Sequence, residues 1–248
     1  MRGAAQPVAW KQYGEELNEV CIPAADSEVV PGVRWGRPEW VPSPAFWVSL
    51  AAQEGPNADR FVSPKGAPLK EDVAFCLLGG FGIRMELNRA AWQRLKDANV
   101  LSFEPLPDAA FLEDLLSEPL LVNGRSVKYR FPRQRAGRLA LALRYLRDNP
   151  LEQLVDLDLR DALMVIPGIG PKTASWIVRN WTGSDAVAIL DVHVIRAGQI
   201  MGLFPERVRL PKDYKILEAR FLTFAAAIGI PASLLDALIW REMRTLKA

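Results

Sequence analysis

Lys172 and Asp191 are the side chains of this chain best suited to do chemistry. Both lie in one stretch, Leu163 to Arg196, which reads LMVIPGIGPKTASWIVRNWTGSDAVAILDVHVIR. A lysine amine with an exposed lone pair is a nucleophile towards an electrophilic carbon. A carboxylate in the same cleft can stabilise positive charge on a sugar ring or take a proton from the amine. Each residue also has an ordinary use. Lys172 can serve as a phosphate contact at a helix start, and Asp191 as the N-cap of a helix from Val192 to Met201.

The elements that must position them follow from the neighbouring residues. Leu163, Met164 and Ile166 close one helix, Pro167-Gly168-Ile169-Gly170 form a tight turn, and Pro171 opens a second helix carrying Lys172, Thr173 and Ala174. The spacing predicts a helix-hairpin-helix. A side chain at Gly168 or Gly170 would keep a phosphate from the backbone, and φ > 0 turn positions favour glycine. Amides at the start of the second helix point outward with the positive end of the helix dipole behind them. Gly168, Gly170 and Thr173 are therefore candidate phosphate ligands, with an ordinary corner between two helices as the alternative. The positive helix end, Arg179 and partial burial all disfavour an ammonium at Lys172, which is how an amine becomes available for attack. The apolar run Ala186 to Leu190 is strand-like and leads to Asp191. The single histidine, His193, sits near the following helix start as a second candidate phosphate contact.

Composition narrows the classes. The chain has 248 residues, 50% of them hydrophobic, so it can bury a substantial core as one large domain or two small ones. A formal net charge of +2 is only mildly basic, but the cations cluster locally. Arg125, Lys128, Arg130, Arg133, Arg135, Arg138, Arg144 and Arg147 fall in one segment without an acid, interleaved with Tyr129, Phe131 and Tyr145. Such a patch suits a phosphate backbone and an opened duplex, with a solvated helix face as the alternative. Cys21 and Cys76 are too few for a four-thiolate iron–sulfur cluster or zinc site, so no catalytic metal and no cofactor are expected. With no secretory region, transmembrane run or lipidation motif, the expectation is a soluble, cytoplasmic, nucleoid-associated monomer with no membrane contact.

Residues 1–44 hold Pro23, Pro31, Pro38, Pro42 and Pro44 with Trp10, Trp35 and Trp40, a mixture that cannot build long helices. The expectation there is an irregular extension packed on the main body. From Ala45 onward apolar residues recur at helical spacing, as in Leu87-Ala91-Trp92-Leu95 and Leu139-Ala142-Leu143-Leu146. The fold class expected is all-α, with Ala186 to Leu190 as its only strand-like run, too short to found a sheet.

The strings IPGIGPKTA and ILDVHVIR resemble the helix-hairpin-helix DNA glycosylase superfamily, most of all its 8-oxoguanine glycosylases. Endonuclease III of the same superfamily carries a four-cysteine cluster that this chain cannot build. In members that both remove a base and nick the strand, the hairpin carries a lysine at the position of Lys172 and the downstream aspartate matches Asp191. LLGGFGIRMELNRAAWQRL, Leu77 to Leu95, resembles a helix, a loop touching the base opposite the lesion, and the next helix. YRFPRQRAGRLA, Tyr129 to Ala140, resembles the segment whose tip enters the minor groove. LLDALIWREMRTLK, Leu234 to Lys247, resembles the tail of the archaeal-type enzymes, where an acidic residue and a C-terminal lysine hold the flipped base.

The resemblance implies two helical subdomains with DNA across the cleft between them: a barrel of about 69–190, and a second subdomain from 45–68 plus 191–248. It implies double-stranded DNA with a damaged base as partner. The nucleotide would rotate out of the duplex at a cost of roughly a few kcal/mol, its gap filled from Gly79–Arg84 or Arg133–Arg135. Phe81, Arg84, Arg133 and Arg135 are the wedge and opposite-base candidates, with Phe81 also a possible stacker. Asp236, Trp240 and Lys247 are the base-pocket candidates. The implied activity is a base-excision-repair glycosylase and abasic-site lyase for 8-oxoguanine, through a Lys172 Schiff base and β-elimination. The rivals are a glycosylase for an oxidised pyrimidine or a foreign-DNA modification, and a non-catalytic duplex-binding protein.

Overall fold

The structure, a computed structural model, describes residues 4–10, 17–55, 59–80, 82–101 and 105–246. From the N-terminus come strands β1 (Gln6–Trp10), β2 (Asn18–Ile22), β3 (Glu28–Val30) and β4 (Val33–Arg34), then helix α1 (Pro44–Glu54). Helices α2 (Leu69–Leu78), α3 (Met85–Asp97) and α4 (Ala109–Ser117) precede strands β5 (Leu120–Val122) and β6 (Arg125–Val127). Helices α5 (Pro132–Asp148), α6 (Asp156–Leu163), α7 (Pro171–Thr182), α8 (Val192–Ile200), α9 (Tyr214–Ala227) and α10 (Ala232–Met243) complete the order. The fold is almost wholly helical. Among the described residues no single helix is long and apolar enough to cross a membrane.

Two compact units divide the chain: 63–182, and 1–62 together with 183–248. The resemblance puts the limits near Leu69 and Leu190. In the structure the Ser63 amide donates to the Asn180 carbonyl at 2.7 Å, and Trp181 Nε1 to the Ala67 carbonyl at 2.7 Å, which ties the segment before α2 to the end of α7.

In the unit 63–182, α2 packs on α7, α4 on α5 and α6 on α7. Helical spacing explains what each buries: Leu87, Ala91 and Leu95 on α3, and Leu139, Ala142, Leu143 and Leu146 on α5. In the other unit Trp47, Leu190, Val194, Phe221, Phe224, Leu235 and Leu238 share one core.

The N-terminal region departs from the irregular extension expected. Two antiparallel hairpins form, β1 with β2 from Gln6↔Ile22 to Trp10↔Asn18, and β3 with β4. The prolines punctuate rather than prevent them. Pro31 and Gly32, at φ +82°, turn β3 into β4, and Pro44 opens α1 behind Ser43, whose hydroxyl accepts the Phe46 amide at 3.0 Å. Ala186–Leu190, strand-like but expected to be too short to found a sheet, joins none among the described residues. Its hydrogen bonds run to side chains instead, as described below. A third hairpin, β5 with β6, turns through Asn123 and Gly124, both at positive φ.

Candidate active site

The hairpin between α6 and α7 is anchored by buried Ile166 and Ile169 and presents Pro167, Gly168 and Gly170 to solvent. The Ile169 amide donates to the Ile166 carbonyl at 3.0 Å, closing the turn. The Gly170 carbonyl accepts the Ala174 amide at 2.9 Å, so Gly170 caps the helix and Lys172 and Thr173 fall in its first turn, where amides have no intrahelical acceptor. The two glycines differ. Gly168 has φ +94°, and a Cβ there would stand 2.5 Å from Arg138 Cδ and 2.8 Å from its Nε. A Cβ on Gly170 would meet nothing within 4 Å, so the protein leaves that side of the backbone open.

Lys172 is half-buried, with Nζ 5.4 Å from the Trp176 ring centroid. Trp176 meets Phe75 edge to face, centroids 6.0 Å apart, and lies against Gly79, where a Cβ would come within 3.1 Å of it. Burial pushes the Cys76 thiol well up, the Asp72 charge adds to this, and the charges of Lys172 and Arg179 pull it back. Cys76 is thus a free, buried thiol, while Cys21 is free and exposed.

Asp191 is the N-cap of α8, and its Oδ1 accepts both the His193 amide at 2.8 Å and the Val194 amide at 2.9 Å. Among the described residues its Oδ2 accepts no hydrogen bond, so capping leaves one oxygen available. His193 contributes its backbone amide to this cap.

The segment leading to Asp191 is held by side chains from α9 and α10. Glu218 Oε1 accepts the Ala188 amide at 3.0 Å, Asp236 Oδ2 the Ile189 amide at 3.3 Å, and the Tyr214 hydroxyl the Leu190 amide at 3.3 Å. The same hydroxyl donates to the Ala188 carbonyl at 2.7 Å. A buried amide left unpaired costs about 1–3 kcal/mol, so these contacts explain how an irregular segment survives without a partner strand. Asp185 Oδ1 completes the arrangement by accepting the Ser233 amide at 2.8 Å in the first turn of α10.

The remaining candidates fall into separate groups. Arg84 is exposed at the start of α3 and Arg133 is exposed in the first turn of α5. Arg135 is half-buried, with Nη2 3.4 Å from where a Gly80 Cβ would stand. Desolvation holds its guanidinium below the usual arginine range, Tyr129 opposes this, and Arg138 adds to it. Tyr129 in turn donates to the Leu78 carbonyl at the end of α2. Trp240 meets Phe61 edge to face at 5.6 Å and carries the Arg244 guanidinium 4.4 Å above its ring. Asp236 is buried on α10 and spends Oδ2 on the Ile189 amide. Phe81 and Lys247 lie outside the described residues.

A sequence model of the family described as 8-oxoguanine DNA glycosylase matches residues 71–230, well over half of the chain and inclusive of Lys172 and Asp191. The chain belongs to the 8-oxoguanine DNA glycosylase family. The solved 8-oxoguanine DNA glycosylase of Thermotoga maritima is 26% identical with a TM-score of 0.56, over 76% of this chain and 82% of that one. The glycosylase/lyase of Methanocaldococcus jannaschii, in complex with a DNA 15-mer containing 8-oxoguanine, is 26% identical with a TM-score of 0.58, over 76% and 88%. A trapped covalent intermediate of endonuclease III with DNA is 19% identical with a TM-score of 0.51 over 76% and 82%, and shares the fold. No curated protein matches the chain in sequence.

As a member of the 8-oxoguanine DNA glycosylase family, this chain is a DNA glycosylase of the helix-hairpin-helix kind, an enzyme class that acts on DNA. The family match stops short of α10, so Asp236 and Trp240 lie beyond it, as do the N-terminal hairpins. Three residues of this glycosylase that bear on the site escape sequence reasoning: Arg138, Tyr214 and Glu218. Arg138 is visible in the sequence only as one of many arginines. Glu218 offered one signal, an acid in an otherwise apolar helical face of α9, beside Leu217 and Phe221.

Proposed function

We propose that this glycosylase removes 8-oxoguanine from double-stranded DNA and then cleaves the strand, with Lys172 as nucleophile and Asp191 as the charge-stabilising carboxylate. The observation that carries the reading is the position of Lys172 in the first turn of α7, directly after an exposed glycine turn whose following amides meet no acceptor among the described residues. A phosphate bound there would bring its own sugar towards the amine. The family match and the substrate of the M. jannaschii relative support the choice of base.

The Lys172 amine attacks C1′ of the damaged nucleotide, and the C1′–N9 bond breaks with its electron pair leaving on the base. The base takes a proton, the amine loses one, and the C1′–O4′ bond breaks with its electron pair leaving on O4′, which is protonated, to give a Schiff base with the opened sugar. Removal of a C2′ proton then expels the 3′ phosphate by β-elimination, and water hydrolyses the C1′–nitrogen double bond, freeing the Lys172 amine and leaving an unsaturated aldehyde on one side of the nick. Asp191 Oδ2 stabilises positive charge on the sugar as the base departs. Arg84 and Arg133, both exposed, are proposed to face the DNA strands.

Release of free base from duplexes carrying single defined lesions tests the substrate. Free 8-oxoguanine should be released first and fastest; release of an oxidised pyrimidine in preference to it would overturn the choice of base.

A further inference from the structure

The five residues before Asp191 form no regular element and, among the described residues, pair with no strand, yet three successive backbone amides among them are each met by a side chain from outside the segment. Two of the three side chains, Tyr214 and Glu218, are buried, 2% and 4% exposed, and stand one turn apart on the same face of α9. Tyr214 is the tighter brace. Its hydroxyl donates to the Ala188 carbonyl at 2.7 Å and accepts the Leu190 amide at 3.3 Å, so one oxygen spans both sides of Ile189. Glu218 fixes the Ala188 amide at 3.0 Å. A buried carboxylate and a buried phenol are costly unless hydrogen-bonded, and here the irregular segment supplies bonds to both, so the two side chains and the segment fix one another in place. The segment ends at Asp191, whose Oδ1 is committed to capping α8 and whose Oδ2 is not.

We propose that Tyr214 and Glu218 are positioning residues for the reaction: they set where the Asp191 carboxylate stands, and through it the rate of base departure. The proposal rests on the role given to Asp191 above. Neither residue touches substrate. Their effect passes through the backbone of Ala188 and Leu190, so it exists only while Asp191 carries a charge to place.

A double-mutant cycle separates this from a purely structural role, because coupled residues are non-additive and independent ones multiply. Single-turnover release of 8-oxoguanine is measured for the wild type, Tyr214→Phe, Asp191→Asn and the double variant, each checked for cooperative thermal unfolding. Tyr214→Phe keeps the ring and removes only the hydroxyl. It should slow base release on the order of tenfold to a hundredfold in the wild-type background, as a small misplacement of a reacting group does, and scarcely at all in the Asp191→Asn background. Binding to an uncleavable abasic-analogue duplex should stay within about twofold, as expected of a change that reaches the reaction only through Asp191. Glu218→Gln, run through the same cycle, provides the second variant should Tyr214→Phe unfold. Equal slowing in both backgrounds, or no slowing in either, overturns the proposal while leaving the glycosylase reading intact. A wild type that releases no base overturns both.

Discussion

Arg138 lies across Gly168 so closely that a Cβ on the glycine would stand 2.5 Å from Arg138 Cδ. The hairpin glycines thus have different reasons to be glycine. At Gly168 the backbone sits at φ +94° and the space above it is filled by an arginine side chain; at Gly170 a Cβ would meet, among the described residues, nothing beyond its chain neighbours within 4 Å.

Substituting the two separates fold from binding. Gly168→Ala should destabilise by about 1–2 kcal/mol from the left-handed backbone alone and also push Arg138 aside. Gly170→Ala should cost about 1 kcal/mol, as alanine is a poorer N-cap than glycine, without the strain of a left-handed backbone, and should weaken duplex binding because the new methyl enters the space left for a phosphate. Thermal unfolding and fluorescence anisotropy with labelled duplex check both; wild-type binding by Gly170→Ala would count against a phosphate on that face.

At Asp191 the cap and the chemistry use different oxygens, so they can be divided. Asparagine caps helices as well as aspartate does, so Asp191→Asn should melt like the wild type and still bind duplex, while base release falls on the order of a hundredfold or more. Asp191→Ala should lose about 1 kcal/mol of stability in addition. Unchanged turnover in Asp191→Asn would remove the carboxylate from the reaction.

Stability should fall with rising pH on account of Asp72. Burial pushes its carboxyl up from 3.8 to about 6, Ser63, whose hydroxyl donates at 2.7 Å, pulls it back, and Glu71 adds to the rise. Below pH 3.8 the group is protonated in both states; between there and about 6 the unfolded chain ionises first, so folding is progressively penalised. The full penalty is about 3 kcal/mol at most. Asp72→Asn, which keeps an acceptor for Ser63, should therefore gain on the wild type across that window in denaturant unfolding. Parallel curves from about pH 4 to 7 would show that Asp72 does not titrate this way.

The helices of both units were legible because their cores are built from local periodicity: Leu139, Ala142, Leu143 and Leu146 recur at helical spacing and are buried as that spacing requires. The hairpin was legible for the same reason, its glycines and Pro171 being local signals. Ala186–Leu190 is legible as a run too short to found a sheet, but what holds it is not, because Tyr214, Glu218 and Asp236 come from 24 to 47 residues further along and act through side chains. The N-terminal prolines were read as breakers, whereas Pro31 and Pro44 end or begin elements. Arg138 belongs with Gly168 only once α5 and the hairpin pack together, which no spacing in the chain announces.

The central claim is that the Lys172 amine bonds to the sugar. Borohydride reduction during reaction with an 8-oxoguanine duplex traps a Schiff base as a stable protein–DNA adduct that runs slowly in denaturing gels. The wild type should give the adduct and Lys172→Gln should give none while still binding duplex. No adduct from an active wild type, or an adduct that persists in Lys172→Gln, would contradict the account.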